Sequence, residues 1–462
     1  MRPSAYNILY EDLERQSLVV FNTLHGALAV LDRNERDAGR AFLSPGFNYS
    51  GGMAEHLRDQ LEAGCFLVKD EVDELGVVLA RKVAGVADPN RLDVVVLPIL
   101  ECNFACAYCY EERRPGRMSR ETEEALLSWL SGAIPSTKLV MLHWFGGEPL
   151  IAAETVARVT QAARRLAFQC GVELIPHVTT NGSLLSERTM GMLLEAGLYS
   201  YQITIDGPKE THDRLRVLRS GGSTFDRVFG NACQLATRHE MVRITLRINF
   251  NHSNLHAIPA LLATIPEGLR SQFRLALEPI FGACDVSAVD NLPSLEIAAE
   301  LARGYQRARE LGFDVASDLS SLEPGKLVYC YAERENQVLI NCNGDVFKCS
   351  VGTFRSEDRL GRLMPGGAIE REPRWHQWMA LPEFDGACES CVYLPMCMGG
   401  CRKMRFEGNG VGSNCGLVAS NAAYALKQIA LHGLGDVVMT AAAEGAGDPA
   451  RVSQQDLDGR RD

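Results

Sequence analysis

The sequence predicts an α/β protein whose central part is a parallel β-sheet flanked by helices. Apolar, β-branched runs alternate with amphipathic helical stretches from residue 91 to residue 280, and polar motifs follow the ends of successive runs. Parallel neighbours require crossover connections, which helices provide. A small winged-helix-like module precedes this part, and a cysteine-rich region follows it.

Composition limits the classes of partner. The chain has 462 residues, 46% of them hydrophobic, and a formal net charge of −11, which argues against a nucleic-acid backbone as partner. It contains no run of ~20 apolar residues and no signal-peptide core at its start, so we expect no membrane partner and a cytoplasmic location. In a large intracellular chain, 15 cysteines indicate metal or redox sites.

Residues 1–88 form the predicted N-terminal module. Strands are expected at 18–21, 27–31 and 65–68, and helices at 35–42 and 53–64. With a closing hairpin this order is winged-helix-like, and the acidic run at 70–74 disfavours DNA as its ligand. The order of elements resembles that of leader-peptide recognition domains, in which a leader peptide adds a strand to a sheet edge, and the alternative is a plain cap on the next domain.

Residues 89–318 carry six strand–helix units. Strands are expected at 92–100, 139–145, 173–178, 201–205, 244–249 and 274–280, and helices at 119–131, 154–169, 186–196, 225–238 and 255–265, with one more at 293–311. In such an arrangement the carboxyl ends of the strands converge on one mouth, where functional residues gather.

Three cysteines follow the first strand with the spacing CX3CX2C, at Cys102, Cys106 and Cys109. A closed structural metal site needs four protein ligands, and an iron–sulfur cube normally takes four thiolates. Three thiols therefore leave one corner open, where a small molecule with an amine and a carboxylate can be chelated.

Polar motifs also follow the later strands. Glycines allow the backbone to approach a ligand closely, and a carboxylate beside them can accept a hydrogen bond from an ammonium group. The second strand ends in Gly146, Gly147, Glu148 and Pro149, the third is followed by Asn181, the fourth carries Thr204 and Asp206, and the fifth carries Arg247 and Asn249.

Residues 319–435 hold a second set of thiols. Cys330, Gly344 and Cys349 are spaced CX13GX4C, with Cys342 between them, and Cys388, Cys391, Cys397 and Cys401 follow as CX2CX5CX3C before Cys415. Eight cysteines suit either two iron–sulfur clusters or two zinc sites. A closing helix is expected at 419–434 and a disordered tail at 436–462.

The CX3CX2C motif with Tyr108 before its last cysteine, together with the GGEP motif, resembles the radical S-adenosylmethionine (SAM) superfamily. The cysteine-rich region resembles the SPASM extension of those enzymes. The resemblance implies a partial (β/α)6 TIM-like barrel and a 4Fe–4S cluster on Cys102, Cys106 and Cys109. It also implies that the open iron binds SAM, which is cleaved to a 5′-deoxyadenosyl radical.

The resemblance also implies a set of SAM contacts. The GGEP motif would bind the amino group, Thr204 and Asp206 the ribose, and Arg247 would lie near the carboxylate. The expected cofactor-binding residues are Tyr108, Gly146, Gly147, Glu148, Pro149, Asn181, Thr204, Asp206 and Arg247. No catalytic residue is assigned.

In the SPASM extension the resemblance implies two auxiliary 4Fe–4S clusters. Cys330, Cys349 and Cys401 would bind the first, and Cys388, Cys391, Cys397 and Cys415 the second. Cys342 either completes the first cluster or leaves an iron open to substrate.

Three functions remain in view. The first is a radical SAM maturase that installs a crosslink or an oxidation in a ribosomally made peptide carrying a leader, with an electron donor such as flavodoxin or ferredoxin. The second is an anaerobic sulfatase-maturing enzyme, but those enzymes have an aspartate base where this chain has Ser350, whose hydroxyl is a weak base. The third is a non-catalytic, zinc-bound peptide-binding scaffold.

Overall fold

The computed structural model describes residues 1–44, 52–112, 114–280, 294–313, 325–381, 384 and 386–407, and six positions between 418 and 429. Cys415, the residues around 318–324, most of the predicted closing helix and the predicted disordered tail lie outside the described residues. Among the helices that are described, none is long and apolar enough to cross a membrane.

The N-terminal module contains a three-stranded antiparallel sheet. Its elements are β1 (Arg2–Pro3), β2 (Asn7–Asp12), β3 (Ser17–Asn22), β4 (Leu28–Leu31), α1 (Arg36–Phe42), α2 (Gly52–Ala63), β5 (Leu67–Val68) and α3 (Glu74–Val86). The sheet has the order β2-β3-β4, and β5 pairs with β1. Strand β2 was not predicted. In place of a closing hairpin the chain forms α3, whose N-cap Asp73 accepts a hydrogen bond from the Gly76 amide at 2.8 Å.

Six parallel strands form the central sheet, in the order β11-β10-β9-β8-β7-β6. They are β6 (Arg91–Val96), β7 (Leu139–Trp144), β8 (Glu173–Thr180), β9 (Ser200–Thr204), β10 (Arg243–Phe250) and β11 (Phe273–Pro279). The prediction of a partial (β/α)6 barrel is confirmed. Strand β6 is shorter than predicted because Pro98 has no amide hydrogen for the sheet.

The helices of the barrel connect successive strands. They are α4 (Arg120–Ala133), α5 (Ala153–Cys170), α6 (Glu187–Glu195), α7 (Lys209–Leu215), α8 (Phe225–Ala236), α9 (Ile258–Thr264) and α10 (Ser294–Glu310). Alternation along β7 separates two environments, as the pleat of a strand requires. Val140, Leu142 and Trp144 are fully buried on one face, whereas Met141 and His143 are half-buried and line the barrel interior.

The cysteine-rich region extends the barrel sheet. Its elements are β12 (Gln337–Ile340), β13 (Asp345–Phe347), β14 (Gly361–Leu363), β15 (Ile369–Arg371), α11 (Pro373–Met379), α12 (Gly386–Glu389), α13 (Leu394–Cys397) and α14 (Arg402–Phe406). Strand β12 pairs in parallel with β6, and β13, β14 and β15 follow antiparallel, which gives one sheet of ten strands. The sequence pattern did not indicate this continuity.

A fully buried ion pair joins the N-terminal module to the cysteine-rich region. Lys82 on α3 donates to the Glu333 carboxylate at 2.6 Å and to the Met398 carbonyl at 2.8 Å, and both charged side chains are 0% exposed. Glu333 also accepts from the Tyr329 amide at 2.6 Å. Arg405 Nη2 lies farther away, 3.9 Å from Glu333 Oε1, so the desolvated Glu333 carboxylate depends mainly on Lys82 for its compensation.

We expect Lys82→Met to lower the free energy of unfolding by about 3 kcal/mol, because the buried Glu333 carboxylate then keeps only the more distant Arg405, whose Nη2 lies 3.9 Å away. Urea denaturation of the full chain measures this change. The matched control is Arg188→Met, which removes an exposed ion pair to Glu154 and should leave the unfolding midpoint unchanged. Equal effects of the two substitutions would contradict a stabilising role for the buried pair.

Candidate active site

The loop with the first three cysteines is held by the segment that follows α7. Ala105 donates its amide hydrogen to the Val217 carbonyl at 2.7 Å, and Ala107 donates to the Leu215 carbonyl at 3.1 Å. Phe104, 1% exposed, forms an antiparallel bridge with Leu218. The segment that follows the fourth barrel strand therefore fixes the position of the cysteine loop.

The three thiols of this loop influence one another electrostatically. Burial raises the pKa of Cys102 to about 12, and Glu148, Cys106 and Cys109 add to this. Asn181 Nδ2 lies 3.9 Å from Cys102 Sγ and donates to Asn103 Oδ1 at 2.8 Å. The predicted residue Asn181 thus lies beside the first thiol.

The two glycines of the GGEP motif bring two loops together. A methyl group added at Gly147 would lie 2.3 Å from the Glu101 carbonyl oxygen, and one added at Gly146 would lie 2.5 Å from the Ile99 carbonyl oxygen. The Glu148 amide donates to the Glu101 carbonyl at 2.9 Å. These glycines therefore seat the second strand end against the start of the cysteine loop.

Glu148 is fully buried and ties the second strand end to the third. Its carboxylate accepts hydrogen bonds from the Leu150 amide at 3.0 Å, the Thr180 hydroxyl at 2.7 Å and the Asn181 amide at 2.7 Å. Burial raises its pKa, and these hydrogen bonds oppose the rise. Pro149 begins the 3-10 helix Pro149–Ala152, which Glu148 caps. The assignment of Glu148 to the SAM amino group stays a prediction.

A buried network joins the cysteine loop to the fourth and fifth strands. The Tyr108 hydroxyl donates to Asp206 Oδ2 and accepts from Arg216 Nη1 at 2.6 Å and Asn249 Nδ2 at 3.0 Å. Asp206 Oδ1 accepts from the Asn249 amide at 2.8 Å, and Arg216 Nη1 lies 3.7 Å from Asp206 Oδ2. Two predicted residues, Tyr108 and Asp206, therefore interact directly.

Burial shifts the pKa values of the titratable side chains in and beside this network. Asp206 is 0% exposed, and burial raises its pKa although Arg216 opposes the rise. Burial also lowers the pKa of His212 to about 3, with Arg216 adding to the effect, so this imidazole is neutral near pH 7. His212 Nδ1 accepts the Asp206 amide hydrogen at 3.3 Å.

Sequence reasoning missed Arg216, whose charge lowers the pKa of Glu148, Asp206 and His212 and which lies near Cys106. Its only sequence signal is its place shortly after Asp206, directly after the short helix α7, where arginines are usually exposed. The other two predicted contacts lie on neighbouring strands in register: Thr204 is buried, and Arg247 donates to Asn249 Oδ1 at 2.8 Å.

The first auxiliary set of thiols is partly assembled. Burial and then Glu333 raise the pKa of Cys330 to about 12, and Cys349 and Cys401 contribute to that rise. Cys342 lies elsewhere, in the barrel core. A methyl group added at Gly116 would lie 2.9 Å from its sulfur, and burial raises its pKa to about 11.

The second auxiliary set lies where the N-terminal module packs on the cysteine-rich region. Cys388 and Cys391 belong to one apolar cluster with Tyr6 and Val78. The Cys391 amide donates to the Cys388 carbonyl at 2.9 Å, and Cys397 ends helix α13 nearby in the chain. The fourth predicted ligand, Cys415, lies outside the described residues.

Thiolates are soft ligands that suit iron–sulfur clusters as well as zinc, so the donor chemistry of the three sets fits the predicted clusters. Within the described ranges, no group of three or more His, Cys, Asp or Glu side chains is arranged to hold a metal ion.

The sequence profile of the radical SAM superfamily matches residues 96–253, which run from the end of β6 to just beyond β10. The chain contains a radical SAM domain. The prediction of a radical SAM enzyme is therefore confirmed, and with it a 4Fe–4S cluster and SAM as the cofactors of this domain.

Several relatives of this radical SAM protein are similar over most of their length. An AdoMet-dependent heme synthase of Oleidesulfovibrio alaskensis is 24% identical over 341 residues, 67% of this chain and 82% of that protein. A PqqA peptide cyclase of Bradyrhizobium diazoefficiens is 23% identical over 332 residues, 68% of this chain and 82% of that protein.

Solved structures share the fold. The structure of anSMEcpe with bound AdoMet superimposes with a TM-score of 0.59 at 18% identity, covering 74% of this chain and 93% of the other. SuiB of Streptococcus suis, bound to the precursor peptide SuiA, gives a TM-score of 0.51 at 14% identity and covers 87% of this chain and 95% of the other.

We expect Gly147→Ala to reduce the iron bound after anaerobic reconstitution by about a third, because the added methyl group would displace the cysteine loop from the Glu101 carbonyl. Iron analysis of the purified full chain measures the loss. The matched control is Gly132→Ala on helix α4, where no heavy atom lies within 4 Å of the added carbon. Full iron content in Gly147→Ala would contradict this role for the glycine.

Proposed function

We propose that this chain is a radical SAM enzyme that modifies a ribosomally made peptide by installing a crosslink or an oxidation. The observation that carries the proposal is the nearness of two thiol sets. Tyr110, which follows Cys109, and Cys349 of the first auxiliary set line the same pocket. Relatives named as a peptide cyclase and neighbours bound to peptides support the substrate class.

We propose the following roles for the residues of this chain. Cys102, Cys106 and Cys109 would hold the cluster that, with SAM bound, supplies a 5′-deoxyadenosyl radical. The network around Tyr108 and Asp206 fixes the loop that carries those thiols. The barrel walls would shield the radical in the interior from solvent, as a primary radical requires.

We propose two auxiliary 4Fe–4S clusters. Cys330, Cys349 and Cys401 would hold the first, and Cys388, Cys391, Cys397 and Cys415 the second. The placement of Cys342 in the barrel core, against Gly116, supports the alternative in which it is not a ligand and the first cluster keeps an open iron.

The surroundings of Ser350 favour peptide maturation over sulfatase maturation. The Tyr331 hydroxyl is hydrogen-bonded to Ser350 Oγ at 2.6 Å, and the Ser350 amide donates to the Tyr331 oxygen at 3.2 Å. A hydroxyl already engaged in this way is a poor substitute for the aspartate base of sulfatase-maturing enzymes. We further propose a cytoplasmic location, an electron donor such as flavodoxin or ferredoxin, and no nucleic-acid partner.

The experiment combines SAM cleavage with peptide analysis. The reconstituted full chain, SAM and dithionite should produce 5′-deoxyadenosine, and a peptide encoded by a short reading frame beside this gene should lose about 2 Da per crosslink. The Cys102→Ala, Cys106→Ala, Cys109→Ala triple variant should fall from about twelve to about eight iron per chain and form no 5′-deoxyadenosine. Bound zinc with little iron would establish the scaffold alternative instead, and conversion of a sulfatase serine or cysteine to formylglycine would establish the other enzyme.

We also propose that the N-terminal module binds the peptide's leader along the edge of β4. In the described part of the chain, β2 and β4 each pair only with β3, so each has an outer edge. Strand β2 carries the charged residues Glu11 and Asp12, which disfavour pairing with another strand, whereas β4 is uncharged. An extended peptide adds to such an edge through main-chain hydrogen bonds.

Val30→Arg on β4 should weaken binding of the fluorescently labelled neighbouring peptide about tenfold, because it places a charge beside the docking edge. Leu9→Arg on β2 is the matched control, since Leu9 is 42% exposed and Val30 is 37% exposed. Fluorescence anisotropy of the full chain measures both affinities. Loss of binding in the β2 variant alone would assign the leader to the other edge and refute this part of the proposal.

A further inference from the structure

The barrel contains a partly open cavity of about 750 Å³ that the site described above does not use. It is lined by inward-facing side chains of every strand from β6 to β11 and by Tyr331 of the cysteine-rich region. A cavity of this size accommodates an amino-acid side chain together with its backbone. Tyr331 also lies beside Cys349, so the cavity reaches the first auxiliary set of thiols.

Two histidines stand side by side in the cavity wall. The rings of His143 on β7 and His177 on β8 meet edge to face with centroids 4.7 Å apart. His143 Nε2 is hydrogen-bonded to Thr179 Oγ1 at 2.9 Å, and His177 Nδ1 to Ser200 Oγ at 2.8 Å. We name these two imidazoles with their two hydroxyls the histidine shelf.

The histidine shelf runs from His143, near the carboxyl end of β7, to Ser200, the first residue of β9. The register of the parallel strands pairs His143 with His177 and His177 with Ser200, so the shelf crosses three neighbouring strands. His143 is three residues before Gly146, which is about 10 Å along an extended strand. Burial and the neighbouring His177 lower the pKa of His143 well below its usual value, so its imidazole is neutral near pH 7.

The charged groups of the cavity are already engaged within the protein. Arg91 holds both carboxylate oxygens of Asp93 at 3.1 and 3.0 Å, Arg164 donates to the Ala196 carbonyl, and Arg243 donates to the Glu240 carbonyl and to Gln272. Arg274 has interactions within the protein as well. Recognition of a substrate in the cavity therefore falls to neutral polar groups, which include His143, His177 and Ser200 of the histidine shelf as well as Gln202, Thr245 and Tyr331.

We propose that the histidine shelf binds the residue of the peptide that is modified, and that it selects a side chain with a hydroxyl or thiol group. Either group can donate to or accept from an imidazole nitrogen, so recognition does not depend on the tautomer of His143. An aliphatic side chain in the same place could form no hydrogen bond with His143 Nδ1, the ring nitrogen that Thr179 does not engage, which disfavours its binding. This inference rests on the proposed peptide maturase function and adds the chemical class of the modified residue.

Three small probes of nearly equal size test the selection. They are N-acetyl-L-serinamide, N-acetyl-L-cysteinamide and N-acetyl-L-alaninamide, each deuterated at Cα and Cβ. The reconstituted full chain receives one probe with SAM and dithionite, and mass spectrometry measures deuterium in the 5′-deoxyadenosine formed. Deuterium per 5′-deoxyadenosine reports how often the probe occupies the cavity when the radical forms.

In the wild type we expect the serine or the cysteine probe to transfer deuterium at least tenfold more often than the alanine probe, the discrimination of about one buried hydrogen bond. The larger of the two signals identifies hydroxyl or thiol. His143→Leu should lower this ratio about tenfold, whereas His143→Gln, which keeps a hydrogen-bonding group, should retain most of it. Iron content verifies that both variants are assembled.

Two results would overturn the inference: the same ratio in wild type and His143→Leu, or 5′-deoxyadenosine formed without deuterium from any probe. Absence of 5′-deoxyadenosine with every probe would instead refute the radical SAM function on which the inference depends. The experiment therefore distinguishes failure of this inference from failure of the radical SAM function.

Discussion

The structure depends first on the buried network that Tyr108 forms with Asp206 and Arg216. Taking a carboxylate and a guanidinium out of water costs several kcal/mol per ion, and only close, well-partnered geometry offsets that cost. Here the phenol hydroxyl lies between the two charges, and Asn249 satisfies the remaining carboxylate oxygen. Because Tyr108 is part of the cysteine loop itself, the thiols keep their place only while this network stays intact.

The second constraint on the structure is the close approach of the GGEP loop to the backbone of the cysteine loop. Gly147 allows the GGEP loop to touch the Glu101 carbonyl, and Glu148 then accepts hydrogen bonds from the next strand end. Residues that the family resemblance assigns to the cofactor thus also assemble the mouth of the barrel. A substitution at one of these residues therefore affects both the predicted cofactor contacts and the packing of the barrel mouth. Each variant needs a structural measurement as well as an activity measurement.

The sequence predicted the barrel well because each strand carries strong apolar runs and each strand end carries a motif. The same motifs singled out Tyr108 and Asp206, which the structure brings into contact, while their roles and those of the thiol sets stay predictions. It did not predict β2, whose polar Asn7 and Asp12 weaken the strand pattern, or the pairing of β12 with β6, which joins distant parts of the chain. Arg216 and His143 could not be singled out either, because burial of a charged or titratable side chain is decided by tertiary packing rather than by local sequence.

The pairing of β12 with β6 also has a consequence for how the protein is made. Gln337 pairs with Asp93, roughly 240 residues earlier in the chain. At about 5–20 residues per second, the ribosome delivers β12 about 12–48 seconds after β6. Throughout that interval the hydrogen-bonding edge of β6 is uncovered and the cysteine loop next to it lacks its neighbouring wall. The sheet edge beside the cysteine loop is therefore completed only after about three quarters of the chain has been synthesised.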